Sequence, residues 1–214
     1  MGKRLFDIVA SLCGLIILSP LFLLIAGWIK MDSPGFVFYR QERVGRYGKI
    51  FRIHKFRTMC SGADKNGGLT IGHDKRITCC GYFLRKYKLD ELPQLIDVLF
   101  GSMSLVGPRP ELAEFMTKYP IEVQNKILSV RPGITDLASI EMIDENKILG
   151  QSKNPQKMYI DTIMPRKAEF YIHYIDKTMG YDVQVKNPMG DVNAIIFDNA
   201  KHVMYGSKDP RTEF

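Results

Sequence analysis

The chain is poor in the residues that build metal centres and disulfide frameworks. Its four cysteines, Cys13, Cys60, Cys79 and Cys80, have no CxxC spacing, and one lies inside an apolar run, so they read as reduced thiols. Cys79-Cys80 lacks a Cys or His partner at ligand spacing, which argues against zinc, and His54 and His73 stand without spaced partners and read as structural histidines. Gly67-Gly68 is not followed by Gly-Lys-Ser/Thr, which sets a P-loop aside. There is no internal repeat and no low-complexity tract. A hydrophobic content of 45% excludes a polytopic membrane protein, since it leaves room for one membrane element at most.

What is present starts with length and charge. A chain of 214 residues supports one sizeable core. The formal net charge of +7 favours anionic partners, whether nucleic acid, phosphorylated substrates or anionic lipid.

The membrane element is the stretch LFDIVASLCGLIILSPLFLLIAGWIKM from Leu5 to Met31, which carries no charge between Ile8 and Ile29 and is long enough to span a bilayer core. Trp28 and Lys30 resemble an interfacial anchor, and no small-residue cleavage site follows. Ser19-Pro20 lies at its centre. Proline removes a backbone donor and bends a helix, and the serine before it can satisfy the freed carbonyl. Lys3 and Arg4 precede the stretch and Lys30, Arg40, Arg43 and Arg46 follow it, so basic residues pull both ends toward the cytoplasm. Two readings stay open: a re-entrant hairpin with both ends on one side, and a kinked helix that crosses.

Beyond the membrane, Asp32 to Gly35 reads as a turn, and Phe36–Tyr39 and Ile50–Arg57 alternate as strands joined by a hairpin turn at Tyr47-Gly48. Ser61 to Asp74 is a Gly-rich surface loop. Ile77–Tyr87 is a basic amphipathic helix suited to an anionic membrane surface. Gln94–Phe100 forms a further helix, Met103–Val106 a short buried strand, Glu111–Tyr119 a helix, and Met158–Lys177 an aromatic helix that belongs to the core. The end of the chain reads as a polar loop (182–191), a last helix (192–205) and a tail.

The chemistry centres on Asp90 and Glu91, set between Arg85, Lys86 and Lys88 on one side and Arg109 on the other. Asp90 could be the N-cap of the helix that Pro93 opens, which needs no function. A carboxylate can also attack phosphorus, provided that cations or a divalent metal cancel the repulsion between the two anions. Glu91 beside Asp90 could hold Mg²⁺, a hard ion that takes carboxylate and phosphate oxygens. Gly107-Pro108-Arg109-Pro110 and Arg131-Pro132-Gly133 each hold an arginine in a stiff turn, a presentation suited to phosphate.

Four motifs, Lys55-Phe56-Arg57-Thr58-Met59, Leu89-Asp90-Glu91-Leu92-Pro93-Gln94-Leu95, Gly107-Pro108-Arg109-Pro110 and Arg131-Pro132-Gly133-Ile134-Thr135, stand in an order that resembles the bacterial sugar transferases, the small monotopic polyprenyl-phosphate phosphoglycosyl transferases. The resemblance implies an α+β fold, with a re-entrant membrane helix (1–31), a mainly helical cytoplasmic catalytic domain with a small β-hairpin or sheet (32–205) and a C-terminal tail (206–214). It implies transfer of a sugar-1-phosphate from a UDP-sugar to polyprenyl phosphate at the inner membrane of a bacterium, by a ping-pong route. In that route Asp90 is the nucleophile, Glu91 its partner, and Mg²⁺ is bound at the pair. Lys55, Arg57, Arg85, Arg109 and Arg131 would bind phosphate groups, Arg85 would reach back to Ser19, and Ser19-Pro20 would break the membrane helix. The implied partners are the UDP-sugar, polyprenyl phosphate and membrane lipid, and not nucleic acid. One departure is Asp136-Leu137-Ala138-Ser139, where the family usually has Gly followed by Ala-Gln. The competing reading from composition is a membrane-anchored basic binding module in which Asp90 and Glu91 only start a helix.

Overall fold

A computed structural model describes residues 2–60, 62, 74–142 and 144–179, so the expected loop, helix and tail after residue 179, and most of the Gly-rich loop with His73, lie outside the described residues. The first element, α1 (Gly2–Asp32), is one helix with Pro20 inside it. The expected break at Ser19-Pro20 therefore does not divide it. The Ser19 hydroxyl donates to the carbonyl of Ile16 at 2.8 Å, and this is the carbonyl that Pro20 cannot serve. The local remedy keeps the helix continuous.

The faces of α1 are inverted relative to those of a soluble helix. Asp7, Ser11, Ile25 and Ile29 are buried, and Gly14 lets Leu95 approach so closely that a β-carbon there would sit 3.1 Å from its side chain. With the partly buried Leu18, Leu21 and Phe22 between them, these positions recur every three or four residues and form one stripe along the helix. Leu5, Phe6, Val9, Ile16, Ile17, Leu23 and Leu24 face outward, each more than half exposed. Water penalises such a surface, whereas a bilayer does not. By length and composition α1 is able to cross a membrane.

Both ends of α1 are tied to the same globular body. Near the start, Arg4 donates to the carbonyls of Val98 (2.7 Å) and Leu99 (3.0 Å). Asp7 accepts from the Ser104 hydroxyl (2.8 Å) and from the Leu105 amide (3.2 Å). At the far end the Asp32 carboxylate accepts from the Cys80 amide at 2.9 Å, while Ile25 and Ile29 pack with Phe56, Cys80 and Leu84.

The strands β1 (Phe38–Val44) and β2 (Ile50–Phe56) form the expected antiparallel hairpin, with Phe38 opposite Phe56 and Val44 opposite Ile50. The turn runs through Arg46–Gly48, where Tyr47 (φ 58) and Gly48 (φ 74) are both left-handed. Pairing with β2 carries β1 through Arg40-Gln41-Glu42-Arg43, past the four-residue strand expected from alternation alone. Helices α2 (Cys79–Lys86) and α3 (Gln94–Phe100) follow, then strand β3 (Ser104–Val106). The expected helix after Glu111 shortens to α4 (Ala113–Met116), with α5 (Ile121–Leu128) behind it.

Strand β4 (Gly133–Thr135) pairs in parallel with β3, which brings the two arginine-bearing turns into backbone contact. Gly133 donates to the Pro108 carbonyl at 2.8 Å and Gly107 to the Thr135 carbonyl at 3.1 Å. A β-carbon on Gly133 would fall 2.2 Å from the Gly107 nitrogen, so only glycine fits there.

The chain then forms α6 (Leu137–Glu141), α7 (Glu145–Gln151), α8 (Pro155–Met158), a π turn (Tyr159–Ile163) and α9 (Met164–Met179). Asp136 is the N-cap of α6, accepting from the Ser139 amide (2.8 Å) and hydroxyl (2.5 Å), which accounts for the carboxylate at the departure from the family pattern. The aromatic face of the last helices is core as expected: Tyr159, Ile163, Tyr171, Ile172 and Ile175 are buried.

The buried Asp7 is one of the polar fastenings of α1, with Arg4 and Asp32. Replacing Asp7 with Ala leaves the Leu105 amide without its acceptor and takes the carboxylate from Lys3 and from the Ser104 hydroxyl, which keeps only the Val106 carbonyl as acceptor, and is expected to cost about 1–3 kcal/mol. Thermal unfolding of the purified protein in detergent, together with faster proteolysis of the loosened α1, measures it.

Candidate active site

Asp90 and Glu91 do not start a helix. They lie in a separate 3-10 turn (Leu89–Glu91) entered through Lys88 in the left-handed region (φ 57), and Pro93 holds the N-cap position of α3. The expected capping role for Asp90 is therefore corrected. The left-handed Lys88 turns the chain out of α2 just before the carboxylates, Leu92 and Pro93 lie between them and α3, and no side chain caps α3.

The two carboxylates differ in their partners. Glu91 is bound on both oxygens: Lys55 Nζ lies 2.7 Å from Oε1, Arg109 Nη1 lies 3.1 Å from Oε2, and Arg109 Nη2 also bonds Oε1. Burial alone would raise the Glu91 pKa, but Arg109 and Lys55 outweigh it and hold the carboxyl well below the usual carboxylate range. Asp90 is buried too, yet among the described residues its carboxylate takes no hydrogen bond and no ion pair. Burial raises its pKa, Glu91 adds to the rise, and Lys55, Arg85 and Arg109 oppose it from a distance. Burial also lowers the pKa of Lys55, against the pull of Glu91.

Asp90 and Glu91 line a cavity of ≈ 530 Å³ that also takes in Lys55, Arg57, Arg85 and Arg109. The structure thus brings most of the predicted site residues together, with different duties. Lys55 comes from β2 and Arg109 from the turn after β3. Arg85, at the end of α2, donates to the Thr58 hydroxyl at 2.8 Å rather than to Ser19, whose hydroxyl is committed to Ile16. Arg57 is buried and donates to the carbonyls of Ile29 (3.5 Å), Ser33 (2.6 Å) and Pro34, so it holds the end of α1 at the rim of the cavity. Arg131 does not join them. Its Nε donates to the Gly101 carbonyl at 2.9 Å, and although its turn abuts that of Arg109, the two side chains part company.

The pair was expected to hold Mg²⁺. Among the described residues no three His, Cys, Asp or Glu side chains are grouped as metal ligands. With both Glu91 oxygens engaged by cations, Asp90 is the carboxylate of the pair left to a hard ion. One such carboxylate suits Mg²⁺ when substrate phosphates complete the shell.

Other cavity residues carried no motif. Arg43, Glu111, Glu145, Tyr159 and Lys167 line the end away from α1. Glu111 follows the Gly-Pro-Arg-Pro turn directly and Tyr159 sits in the aromatic stretch, but Glu145 and Lys167 are distant in sequence and offered no signal.

Comparison with known proteins identifies relatives of the chain. The profile of the family described as Bacterial sugar transferase matches residues 1–185. A UDP-glucose:undecaprenyl-phosphate glucose-1-phosphate transferase of Klebsiella pneumoniae is 46% identical over 176 residues, which cover 81% of this chain and 36% of that protein. A UDP-N-acetylgalactosamine-undecaprenyl-phosphate N-acetylgalactosaminephosphotransferase of Aeromonas hydrophila is 42% identical over 141 residues, covering 64% of this chain and 33% of its own length. The exopolysaccharide production protein ExoY of Sinorhizobium fredii is 37% identical over 156 residues, covering 65% of this chain and 69% of its own. The chain thus spans about a third of the two named transferases. Since the family profile extends over the apolar helix α1, the carboxylate pair and both arginine turns, this chain belongs to the bacterial sugar transferase family.

Proposed function

We propose that this protein transfers a sugar-1-phosphate from a UDP-sugar to polyprenyl (undecaprenyl) phosphate, releasing UMP, as a membrane step of glycoconjugate synthesis in bacteria. The observation that carries the reading is the inequality within the carboxylate pair: a buried Asp90 with no protein partner beside a Glu91 that holds two cations. An unpartnered buried carboxylate is poorly solvated and correspondingly reactive. The relatives, named for UDP-glucose or UDP-N-acetylgalactosamine and undecaprenyl phosphate, support the substrate classes.

In the first step an Asp90 oxygen bonds the β-phosphorus of the UDP-sugar. The bond from that phosphorus to the oxygen bridging the two phosphates breaks, and UMP departs with the electron pair. In the second step a phosphate oxygen of the polyprenyl phosphate bonds the same phosphorus, Asp90 leaves as a carboxylate, and a polyprenyl diphosphate sugar results. Lys55 and Arg109, held by Glu91, offset negative charge at the transferring phosphoryl group without neutralising Asp90 by direct contact. Arg85 adds a third cation at the cavity wall. Mg²⁺, held by Asp90 and the donor phosphates, would supply further charge neutralisation when bound.

The placement of α1 supports a monotopic attachment to the cytoplasmic face, with both ends of the helix on that side. A helix of 31 residues is about 46 Å long, yet both its ends are bonded to one globular body. Crossing the bilayer would drag that body with it. Embedding the outward apolar face while both ends stay at the surface meets both demands. Trp28, Phe83 and Tyr87 form an exposed aromatic cluster at the rim, with ring centroids 5.3 and 4.7 Å apart, suited to the headgroup layer.

Asp90→Asn is expected to reduce UMP release to background while raising the melting temperature, because it removes a charge that the fold disfavours. Glu91→Gln is expected to destabilise by about 3 kcal/mol, since it leaves Lys55 and Arg109 without their carboxylate. UMP assays paired with thermal unfolding distinguish the two, and retained UMP release in Asp90→Asn would remove the nucleophile assignment.

The pH dependence has a definite sign. Burial holds the Asp90 carboxyl protonated above the ordinary aspartate range of about 3.9, so single-turnover UMP release should rise with pH through an apparent pKa higher than that. A profile already flat from pH 4 upward would contradict it.

For topology, a cysteine placed at Gly2 and another at Met31, in a background without the four native thiols, should both resist an impermeant reagent applied to the outer face of the inner membrane. Labelling at Gly2 alone would show a crossing helix.

A further inference from the structure

The cavity has a second end that the phosphate chemistry does not use. Beyond Arg109 it is walled by Arg43, Glu111, Glu145, Tyr159 and Lys167, with Leu149 among the apolar residues. Tyr159 donates to Glu111 Oε1 at 2.9 Å, and the other Glu111 oxygen takes no hydrogen bond among the described residues. Lys167 bonds Glu145 at 2.9 Å, approaches the Tyr159 hydroxyl at 3.4 Å and lies 5.0 Å from the centre of its ring. Arg43 donates to the Pro110 carbonyl (3.2 Å) and to Gln41 (2.6 Å), while its Nε is sealed from solvent with no partner. Arg43 is therefore a wall of this end, committed to its own partners, and the acceptor left open to a ligand is the second Glu111 oxygen.

We propose that this end binds the sugar of the donor, and that Glu111 and Tyr159 select an uncharged, hydroxyl-bearing sugar. The inference rests on the reaction proposed above and deepens it. The position fits, because Glu111 follows Arg109 by two residues, which keeps their α-carbons within about 7 Å. A sugar joined to a phosphate at Arg109 arrives next to Glu111. The chemistry fits as well. Two cations, Arg43 and Lys167, stand against two carboxylates, Glu111 and Glu145, so the pocket offers donors and acceptors with no net charge. Hydroxyls, which both donate and accept, match that lining. A uronate would set its carboxylate against Glu111. A base fits less well, since the Tyr159 ring is covered by the Lys167 ammonium and has Phe115 at its edge (66° between planes), which leaves it no free stacking platform. The opposite end of the cavity, at Phe36, Phe38 and Met59, adjoins the close of α1 and suits the lipid substrate.

The test compares the full-length protein with Glu111→Gln and Tyr159→Phe, each checked by thermal unfolding, on UDP-glucose, UDP-N-acetylglucosamine, UDP-N-acetylgalactosamine and UDP-glucuronate. The expected result is a loss in kcat/KM of about 10- to 100-fold for the best donor, carried mainly by KM, with a changed ranking of donors. Inhibition by UDP, which lacks the sugar, should change by less than about twofold. Equal losses on every donor with weakened UDP inhibition would move the uridine to this end and overturn the proposal, and so would unchanged kinetics. Wild-type protein that releases UMP from none of the donors would sink the proposed reaction instead. In that case calorimetry still decides the subsite: the affinity gained by UDP-glucose over UDP should fall in Glu111→Gln, and an undiminished gain refutes it.

Discussion

The site depends on one ion triad, Glu91 between Lys55 and Arg109. These groups come from a turn, a strand of the hairpin and the segment after β3, so their attraction ties three parts of the chain at one point. Breaking a buried pair on one side leaves uncompensated charge, and this is what gives the triad its structural weight. Its chemical consequence is indirect. By consuming Glu91, the triad sets two cations beside Asp90 and leaves Asp90 unpaired. The two adjacent carboxylates are pushed in opposite pKa directions, and groups driven apart in this way are able to divide roles between them.

The apolar helix is fastened by the same logic. A stripe carrying Asp7 and Ser11 faces the protein while leucines and isoleucines face out, so α1 is shaped for a body on one side and lipid on the other. Arg57 links this fastening to the site. It lies one residue beyond β2, which carries Lys55, and its guanidinium closes on the carbonyls at the end of α1. The strand that supplies a cation to the triad thus leads directly into the residue that secures the apolar helix α1. The proposed reaction needs that connection, since one of its substrates remains in the bilayer.

Much of this was legible in the sequence, and the misses have physical causes. Alternation located the hairpin, and Tyr47-Gly48 located its turn, because left-handed backbone is locally encoded. The charge argument around Asp90 and Glu91 anticipated cations nearby, but not that Glu91 would take two of them and Asp90 none, which depends on three distant segments meeting. Arg109 and Arg131 look alike as arginines in stiff turns. Their separate directions are set by the parallel β3–β4 pairing and the close packing of Gly107 on Gly133, neither of which a local motif reports. Proline suggested a break in α1, while the hydroxyl of the preceding residue sufficed to keep the helix continuous. Glu145 and Lys167 were invisible because their pairing spans two helices and carries no spacing.

The arrangement also bears on why a two-step route suits this cavity. Donor and acceptor each bring phosphate, and between Lys55, Arg85 and Arg109 the described cavity lining offers one carboxylate without a partner, Asp90. Admitting both substrates at once would set a diphosphate and a lipid phosphate against the same Lys55 and Arg109, with charge left over. A covalent link at Asp90 separates the visits in time: UMP takes its negative charge away before the second phosphate must be accommodated. On the proposed reaction, the bond to Asp90 resolves an electrostatic problem set by a small basic cavity at a membrane surface.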